Sequence, residues 1–448
     1  MKRSLTFLLC LFTLLAVQAQ QQKLTPELLW QLGRVGNPVF SPDGKTVLYE
    51  VKTYDVPTNK GLNTVYLIPV AGGNPTPVLN TEVNAFSTRF RPDGLKLTFL
   101  SAKTGDVQLY EANLDGSNIT QVTQVKGGIE AYKYAPALNH IMYVAKVKLD
   151  ETVAEMYPDL PLVKARIIDG LYYRHWDSWH DYTYNHPFVA AYQNGQIVGE
   201  AIDILGEEKY HAPEPPFGDE NEFSWSADGK RLAFSCKKLS GTPSAVSTNT
   251  DIFIYNVDNK TSTNITELNS GYDKEPQFSP DGKKIAWLRM KRAGNEADKN
   301  RVMVYYFADK KEIDVTKDFD YPADAIAWNT NGTQLFFIAQ YQGTKNIFYA
   351  NEKVRKTGAE YGEIKTLTKG DHDYVGFAVS GTEKNYTIVG AKQNISMPTE
   401  LFAVNRDGVE RQLTFTNKNI WDNVKLGKVE KRWITTTDGK QMLTWVIY

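Results

Sequence analysis

The pentapeptide Phe40-Ser41-Pro42-Asp43-Gly44 returns along this chain, and its spacing constrains the fold more than any other feature. It recurs as Phe90-Arg91-Pro92-Asp93-Gly94, Trp225-Ser226-Ala227-Asp228-Gly229 and Phe278-Ser279-Pro280-Asp281-Gly282. Weaker copies stand at Tyr134-Ala135-Pro136, Trp328-Asn329-Thr330-Asn331-Gly332 and Phe377-Ala378-Val379-Ser380-Gly381. Phe40 and Phe90 lie 50 residues apart, Trp225 and Phe278 53, Phe278 and Trp328 50, and Trp328 and Phe377 49. Such a fixed period means one supersecondary unit used repeatedly.

The unit is legible at residue level. Pro presets φ for the first turn position, Asp bonds its own backbone, and Gly supplies a positive φ. Short alternating runs follow each turn, such as Lys45-Thr46-Val47-Leu48-Tyr49 and Lys284-Ile285-Ala286-Trp287-Leu288, and these are strands by pattern and composition. A third strand carries its own signature, as in Asp251-Ile252-Phe253-Ile254-Tyr255, and an outer strand ends in Thr123, Thr266 or Thr414. Four antiparallel strands in about 50 residues make a propeller blade, which leaves only short sheet edges to protect. The turns at Phe40, Phe90, Tyr134, Trp225, Phe278, Trp328 and Phe377 predict an all-β, seven-bladed propeller of the TolB/WD40-like kind. The gap of 91 residues from Tyr134 to Trp225 holds either a degenerate eighth blade or, as preferred here, a loop insertion between blades over about 145–215.

Residues 1–19 read as a signal peptide: Lys2 and Arg3, an apolar run from Leu5 to Val17, then Val17-Gln18-Ala19. The run is too short to span a bilayer, so an exported protein, periplasmic or secreted, without a membrane span is expected. Removing the leader takes Cys10 with it and leaves Cys236 unable to form an intrachain disulfide. The formal charge of −1 argues against a nucleic-acid partner.

The stretch that departs from the repeat holds the candidate site. Arg174-His175-Trp176-Asp177-Ser178-Trp179-His180 and His186-Pro187-Phe188 gather three of the six histidines. Irregular insertions on propellers often shape a binding mouth; an aromatic-rich loop can also simply pack on the rim. A metal site from His175, His180 and His186 is not expected, because their spacing fits no helix face, and no cofactor is expected either. The acidic run Asp219-Glu220-Asn221-Glu222 precedes an inner strand, which would set Glu222 near the central channel. No Gly-x-Ser-x-Gly elbow, Walker loop, His-Glu-x-x-His or dinucleotide fingerprint occurs, so no catalytic residue is assigned. At the end, Glu430 to Tyr448 reads as a hairpin around Thr437-Asp438-Gly439 whose second strand is still running at Ile447. The expectation is that a further domain follows.

Several motifs together carry a resemblance. They are Leu24-Thr25-Pro26-Glu27-Leu28-Leu29, Tyr157-Pro158-Asp159-Leu160-Pro161, His175-Trp176-Asp177-Ser178-Trp179, His186-Pro187-Phe188, Phe223-Ser224-Trp225-Ser226, Asp371-His372-Asp373-Tyr374, Lys431-Arg432-Trp433 and Thr436-Thr437-Asp438-Gly439. With the blades, they make the chain resemble the secreted bacterial dipeptidyl-peptidase V type enzymes of the prolyl oligopeptidase family, related to acylaminoacyl peptidases.

The resemblance implies a two-domain serine peptidase whose propeller gates an α/β-hydrolase domain bearing a Ser-Asp-His triad. The expected layout is a signal peptide at 1–19, a propeller at 20–428, and a hairpin at 429–448 leading into a hydrolase domain that is missing, its start truncated. The implied substrates are peptides that lose N-terminal dipeptides, and a homodimer would form through the hydrolase domain if present. An ammonium entering a cleft needs an ionised partner. Glu222 and Asp177 are the candidates for that role, with His175 and Trp176 shaping the mouth. The competing expectation is a stand-alone TolB-like periplasmic propeller acting as a protein-binding scaffold.

Overall fold

The computed structural model describes residues 22–448 apart from 172, 356 and 357. The expected leader at 1–19 lies outside the described residues.

Each recurring turn is built from bonds local to it. Ser41 Oγ donates to Asp43 Oδ1 at 2.6 Å and accepts the Thr46 N–H at 3.0 Å, while Asp43 takes the Lys45 N–H at 3.1 Å. Gly44 adopts φ +71°, which a side chain would strain. Ser226 with Asp228 and Ser279 with Asp281 repeat the device at 2.6 and 2.5 Å.

The turns join strands into antiparallel sheets. The first sheet runs Arg34–Phe40, Thr46–Asp55, Lys60–Pro69 and Thr76–Leu79, and the second Phe86–Phe90, Lys96–Thr104, Asp106–Asn113 and Thr120–Gln121. The third contains Ala131–Tyr134, His140–Lys148, Thr183–Gln193 and Gln196–Asp203. The fourth spans Phe223–Trp225 to Thr261–Asn264 and the fifth Asp273–Phe278 to Lys311–Asp314. A nine-stranded sheet follows. It consists of an earlier part beginning at Ala323–Trp328 and a later part from Asp373–Ser380 to Glu410–Gln412, joined by the single parallel pair Lys345 and Asp373.

The threonines that stand two residues beyond the outer strands have one shared task. Thr123, Thr266, Thr316, Thr368 and Thr414 are buried, and their hydroxyls accept the N–H of Leu109, Ile252, Val302, Ile347 and Leu401 at 2.8–2.9 Å. Each satisfies a backbone donor that would otherwise be buried without a partner.

Alternation along each strand sends one set of side chains to each neighbouring sheet. Leu48 and Val65 pack with Leu97 and Phe99 between the first two sheets, and Leu109 with Tyr132 and Ile141 between the next two. Val144 meets Phe234, Ile254 meets Trp287, Leu288 meets Phe337, and Ile338 meets Ile388. Val389 and Leu401 of the last strands then pack with Val47 and Tyr49 of the first sheet, so the succession closes on itself. Each large buried side chain contributes about 1.5–3 kcal/mol. The region Gly33–Phe415 is thus one compact, propeller-like, all-β unit.

The insertion sits differently from expectation. It leaves the third sheet after Lys148 and returns at Thr183, so it interrupts one sheet rather than separating two. Much of the expected 145–215 range is strand, namely Thr183–Gln193 and Gln196–Asp203, and the excursion carries the short helix Val153–Met156 and the hairpin Arg174–His175 with Ser178–Trp179. The repeat marks the turn after each inner strand, and its period is silent about which later connection is lengthened.

The second compact unit gathers the described residues up to Leu32 with Thr416–Tyr448. Gln22–Lys23 pairs in parallel with Val424–Lys425, and Thr25 caps the helix Pro26–Gln31. The expected hairpin is present as Val429–Thr435 with Gln441–Ile447. Among the described residues, no helix is long and apolar enough to cross a membrane.

Candidate functional site

A cavity of about 590 Å³ is lined largely by the insertion and by the irregular stretch before Phe223. Its rim is the hairpin with Trp176 and Asp177 at the turn. Trp176 is 66% exposed and meets the edges of His175 and Phe217 at ring distances of 5.6 and 5.1 Å. Behind it, the guanidinium groups of Arg166 and Arg174 lie 5.3 and 5.5 Å from the Trp179 ring, a cation–π clamp that holds the hairpin.

Asp150 anchors this segment. Its carboxylate accepts from Tyr184 Oη at 2.7 Å, bonds His180 Nε2 at 2.9 Å and pairs with Lys209 at 2.7 Å. Burial opposes its ionisation, yet the bonds from Lys209, His180 and Tyr184 outweigh that and hold it at about 2. Burial, aided by the charge of His180, pushes His211 down to about 4. That ring stays neutral near pH 7, and its Nδ1 accepts the Asn185 N–H at 3.2 Å.

The opposite wall is acidic. Glu214 is half-buried, and among the described residues no side-chain hydrogen bond reaches its carboxyl; burial pushes it up to about 7 against the pull of Lys237. Lys237 gives its protons instead to the carbonyls of Ser244 and Ser247 at 2.7 and 2.8 Å. Asp219 caps a single turn of 3-10 helix by accepting the Asn221 N–H at 2.7 Å, and burial raises its protonation tendency too. Glu220 pairs with Arg89 at 3.0 Å. Unlike Asp219, Glu220 also lines a second cavity, of about 440 Å³, among the strands of the first two sheets.

The structure brings His175, Trp176 and Asp177 together on the larger cavity and leaves Glu222 off its wall. Glu222 accepts the Glu275 N–H at 3.2 Å, with its carboxyl raised by burial to about 7. The helical turn sets Asp219 and Glu220 toward the cavity in its place. Glu214 was not legible as a site residue; its one signal was a position among Pro213, Pro215 and Pro216, which fix the backbone. His186 is fully buried and bonds Asp203 at 2.8 Å. Among the described residues, no group of three or more metal-ligating side chains occurs.

Fold and site together define a propeller-like all-β chain with a cavity of the size that takes small ligands. No model of a known protein family matches it. It is 36% identical over 427 residues to dipeptidyl-peptidase 5 of Porphyromonas gingivalis, covering 95% of this chain and 60% of that protein. The dipeptidyl-peptidase 5 of Porphyromonas endodontalis is 33% identical over 431 residues, covering 96% and 60%. The chain thus spans about 60% of the length of the curated relatives it matches. Among solved structures, acylaminoacyl peptidase of Pyrococcus horikoshii aligns with a TM-score of 0.69 at 17% identity, over 92% of this chain and 57% of that one. The β-propeller domain of the trilobed protease from Pyrococcus furiosus, described as having an open velcro topology, aligns at 0.57 and 16% identity over 86% and 97%. The structural likenesses bear on the fold, and the sequence relatives support the dipeptidyl-peptidase 5 family.

Proposed function

We propose that this chain is the substrate-receiving propeller of an exported dipeptidyl-peptidase of the prolyl oligopeptidase type. The reading has seven blades: five from the separate sheets and two from the nine-stranded sheet, whose halves share one parallel pair. The cyclic run of hydrophobic cores from the first sheet back to itself supports that count. The Ser-Asp-His triad belongs, on this reading, to the length of the relatives that this chain does not cover. The leader at 1–19 takes the protein to the periplasm or beyond.

The observation that carries the reading is Glu214, a carboxyl that no side-chain hydrogen bond reaches among the described residues, in the wall of a cavity also lined by Asp219 and Glu220. The α-ammonium of a peptide supplies what that wall lacks. It gives Glu214 a donor and a reason to ionise, which offsets the desolvation of both groups. Trp176 and Phe217 offer an apolar face for the adjoining side chain. His175 shapes the mouth beside them, and Asp177 adds negative potential at the rim.

Calorimetric titration of the chain with an alanine tetrapeptide and its N-acetyl form tests this. The free amine is expected to bind about tenfold tighter, with the difference lost in Glu214→Gln. Equal binding of the two peptides overturns the reading. The coding sequence downstream of Tyr448 tests the two-domain part: a Gly-x-Ser-x-Gly elbow in frame supports it, and an unrelated sequence overturns it.

A further inference from the structure

His211 is fixed on the wall of the larger cavity by the strand beside it. The Asn185 N–H donates to His211 Nδ1 at 3.2 Å, and the Ala212 N–H returns a bond to the Asn185 carbonyl at 2.9 Å. Asn185 Nδ2 adds a third, to the Pro213 carbonyl at 3.3 Å. Residues 211–213 are thus laid against the strand Thr183–Gln193 at one residue. The Tyr184 ring lies 5.0 Å from the His211 ring and is itself held by Asp150 at 2.7 Å, so the imidazole has a packed neighbour as well as a bonded edge.

These bonds decide where the proton is. A ring nitrogen that accepts a backbone N–H carries no proton of its own, and burial keeps this ring from taking a second one. The single proton therefore sits on Nε2, which is a donor. That atom has no hydrogen bond among the described residues. Nε2 of His186 and Nε2 of His372 are also unpartnered, but both are sealed in the interior and Nε2 of His211 is not. His211 lines the cavity, whereas His186 and His372 do not.

The lysines of the same wall have partners. Lys146 has Asp181 at 3.1 Å, Lys209 has Asp150 at 2.7 Å, and Lys237 has the carbonyls of Ser244 and Ser247. A neutral donor suits a neutral acceptor, because neither brings a charge whose desolvation must be offset. In a peptide that acceptor is the backbone carbonyl.

We infer that His211 Nε2–H donates to a backbone carbonyl oxygen near the N-terminus of the bound peptide. The inference rests on the reading of Glu214 as the partner of the amine. His211 and Glu214 are three residues apart, so their Cα atoms lie within about 11 Å, and one extended peptide residue spans about 3.3–3.6 Å. With the amine at Glu214, the first or second carbonyl is the one for the imidazole to hold. The site then reads an α-amine together with the backbone beside it, whatever the side chain between them.

The test titrates the 448-residue chain with an alanine tetrapeptide and with two analogues whose first or second carbonyl oxygen is replaced by sulfur, a weaker acceptor. One analogue is expected to bind about threefold more weakly than the parent peptide. His211→Gln keeps a donor near the place of Nε2 and should keep that preference for oxygen. His211→Phe keeps a ring against Tyr184 without a donor. It should bind the tetrapeptide about threefold more weakly and treat oxygen and sulfur alike, while the N-acetyl effect persists. Both variants take the acceptor from the Asn185 N–H, so a merely structural His211 would make them behave alike. Loss of the preference in both variants, its retention in His211→Phe, equal binding of the three peptides by the unaltered chain, or no saturable binding of any overturns the inference. If His211→Phe loses the preference and His211→Gln keeps it while N-acetylation has no effect, the amine reading alone has failed.

Discussion

Arg89 pairs with Glu220 at 3.0 Å, joining the inner strand of the second sheet to the helical turn that precedes the fourth. The same guanidinium reaches Asn37 Oδ1 at 2.6 Å, so the first sheet is tied in as well. Replacing Arg89 with methionine should cost about 1 kcal/mol in urea unfolding, since the pair is partly exposed and screened. It should also release Glu220 for an incoming ammonium. The free-amine preference of the peptide titration should therefore rise in Arg89→Met, not fall.

Glu214 and Glu222 give the protein a pH dependence of definite sign. Both carboxyls are raised by burial from 4.5 to about 7, so the folded state binds more protons than the unfolded chain between those values. Stability must fall as pH rises through that window. Glu214→Gln and Glu222→Gln should each stabilise the chain at pH 8, by about 1–3 kcal/mol, and leave it unchanged at pH 4. Thermal melts at the two pH values check this.

Asp150 acts in the opposite direction. Its folded value is lowered from 3.8 to about 2, so its contribution is complete above about pH 4 and is lost as pH falls toward 2. Asp150→Asn keeps one acceptor but loses the charge that holds Lys209 and His180. The expected cost near pH 7 is about 1 kcal/mol after screening, with faster proteolysis between Asp150 and Tyr182. At pH 2 the variant and the parent should be alike.

The threonine device predicts equal costs at distant places. Thr266→Val, Thr316→Val and Thr414→Val each leave a buried N–H without its acceptor, worth about 1–3 kcal/mol. Urea unfolding should give three similar losses, because the geometry at Ile252, Val302 and Leu401 is the same within 0.1 Å.

What the sequence made legible is what it encodes locally. The Ser41–Asp43 turn closes within a few residues, and the threonine bonds recur with the repeat, so pattern alone marks the inner turns and the strands beside them, but not the last two strands of the third sheet. The acidic run at Asp219 was found for the same reason. Which of its carboxylates faces the cavity depends on one helical turn, which sequence pattern does not resolve: Asp219 and Glu220 line it and Glu222 does not. Contacts such as Arg89 with Glu220, 131 residues apart, have no local signature. The insertion's point of departure, after Lys148, was hidden because the repeat is read at the inner turn and not at the later strands.

Where a peptide's amine goes decides whether the larger cavity receives substrate. A crystal structure of the chain with an alanine tetrapeptide would locate it. The prediction is an α-nitrogen within hydrogen-bond reach of the Glu214 or Glu220 carboxylate, with the first side chain against Trp176 or Phe217. An ordered peptide whose α-nitrogen contacts neither Glu214, Asp219 nor Glu220 would contradict it.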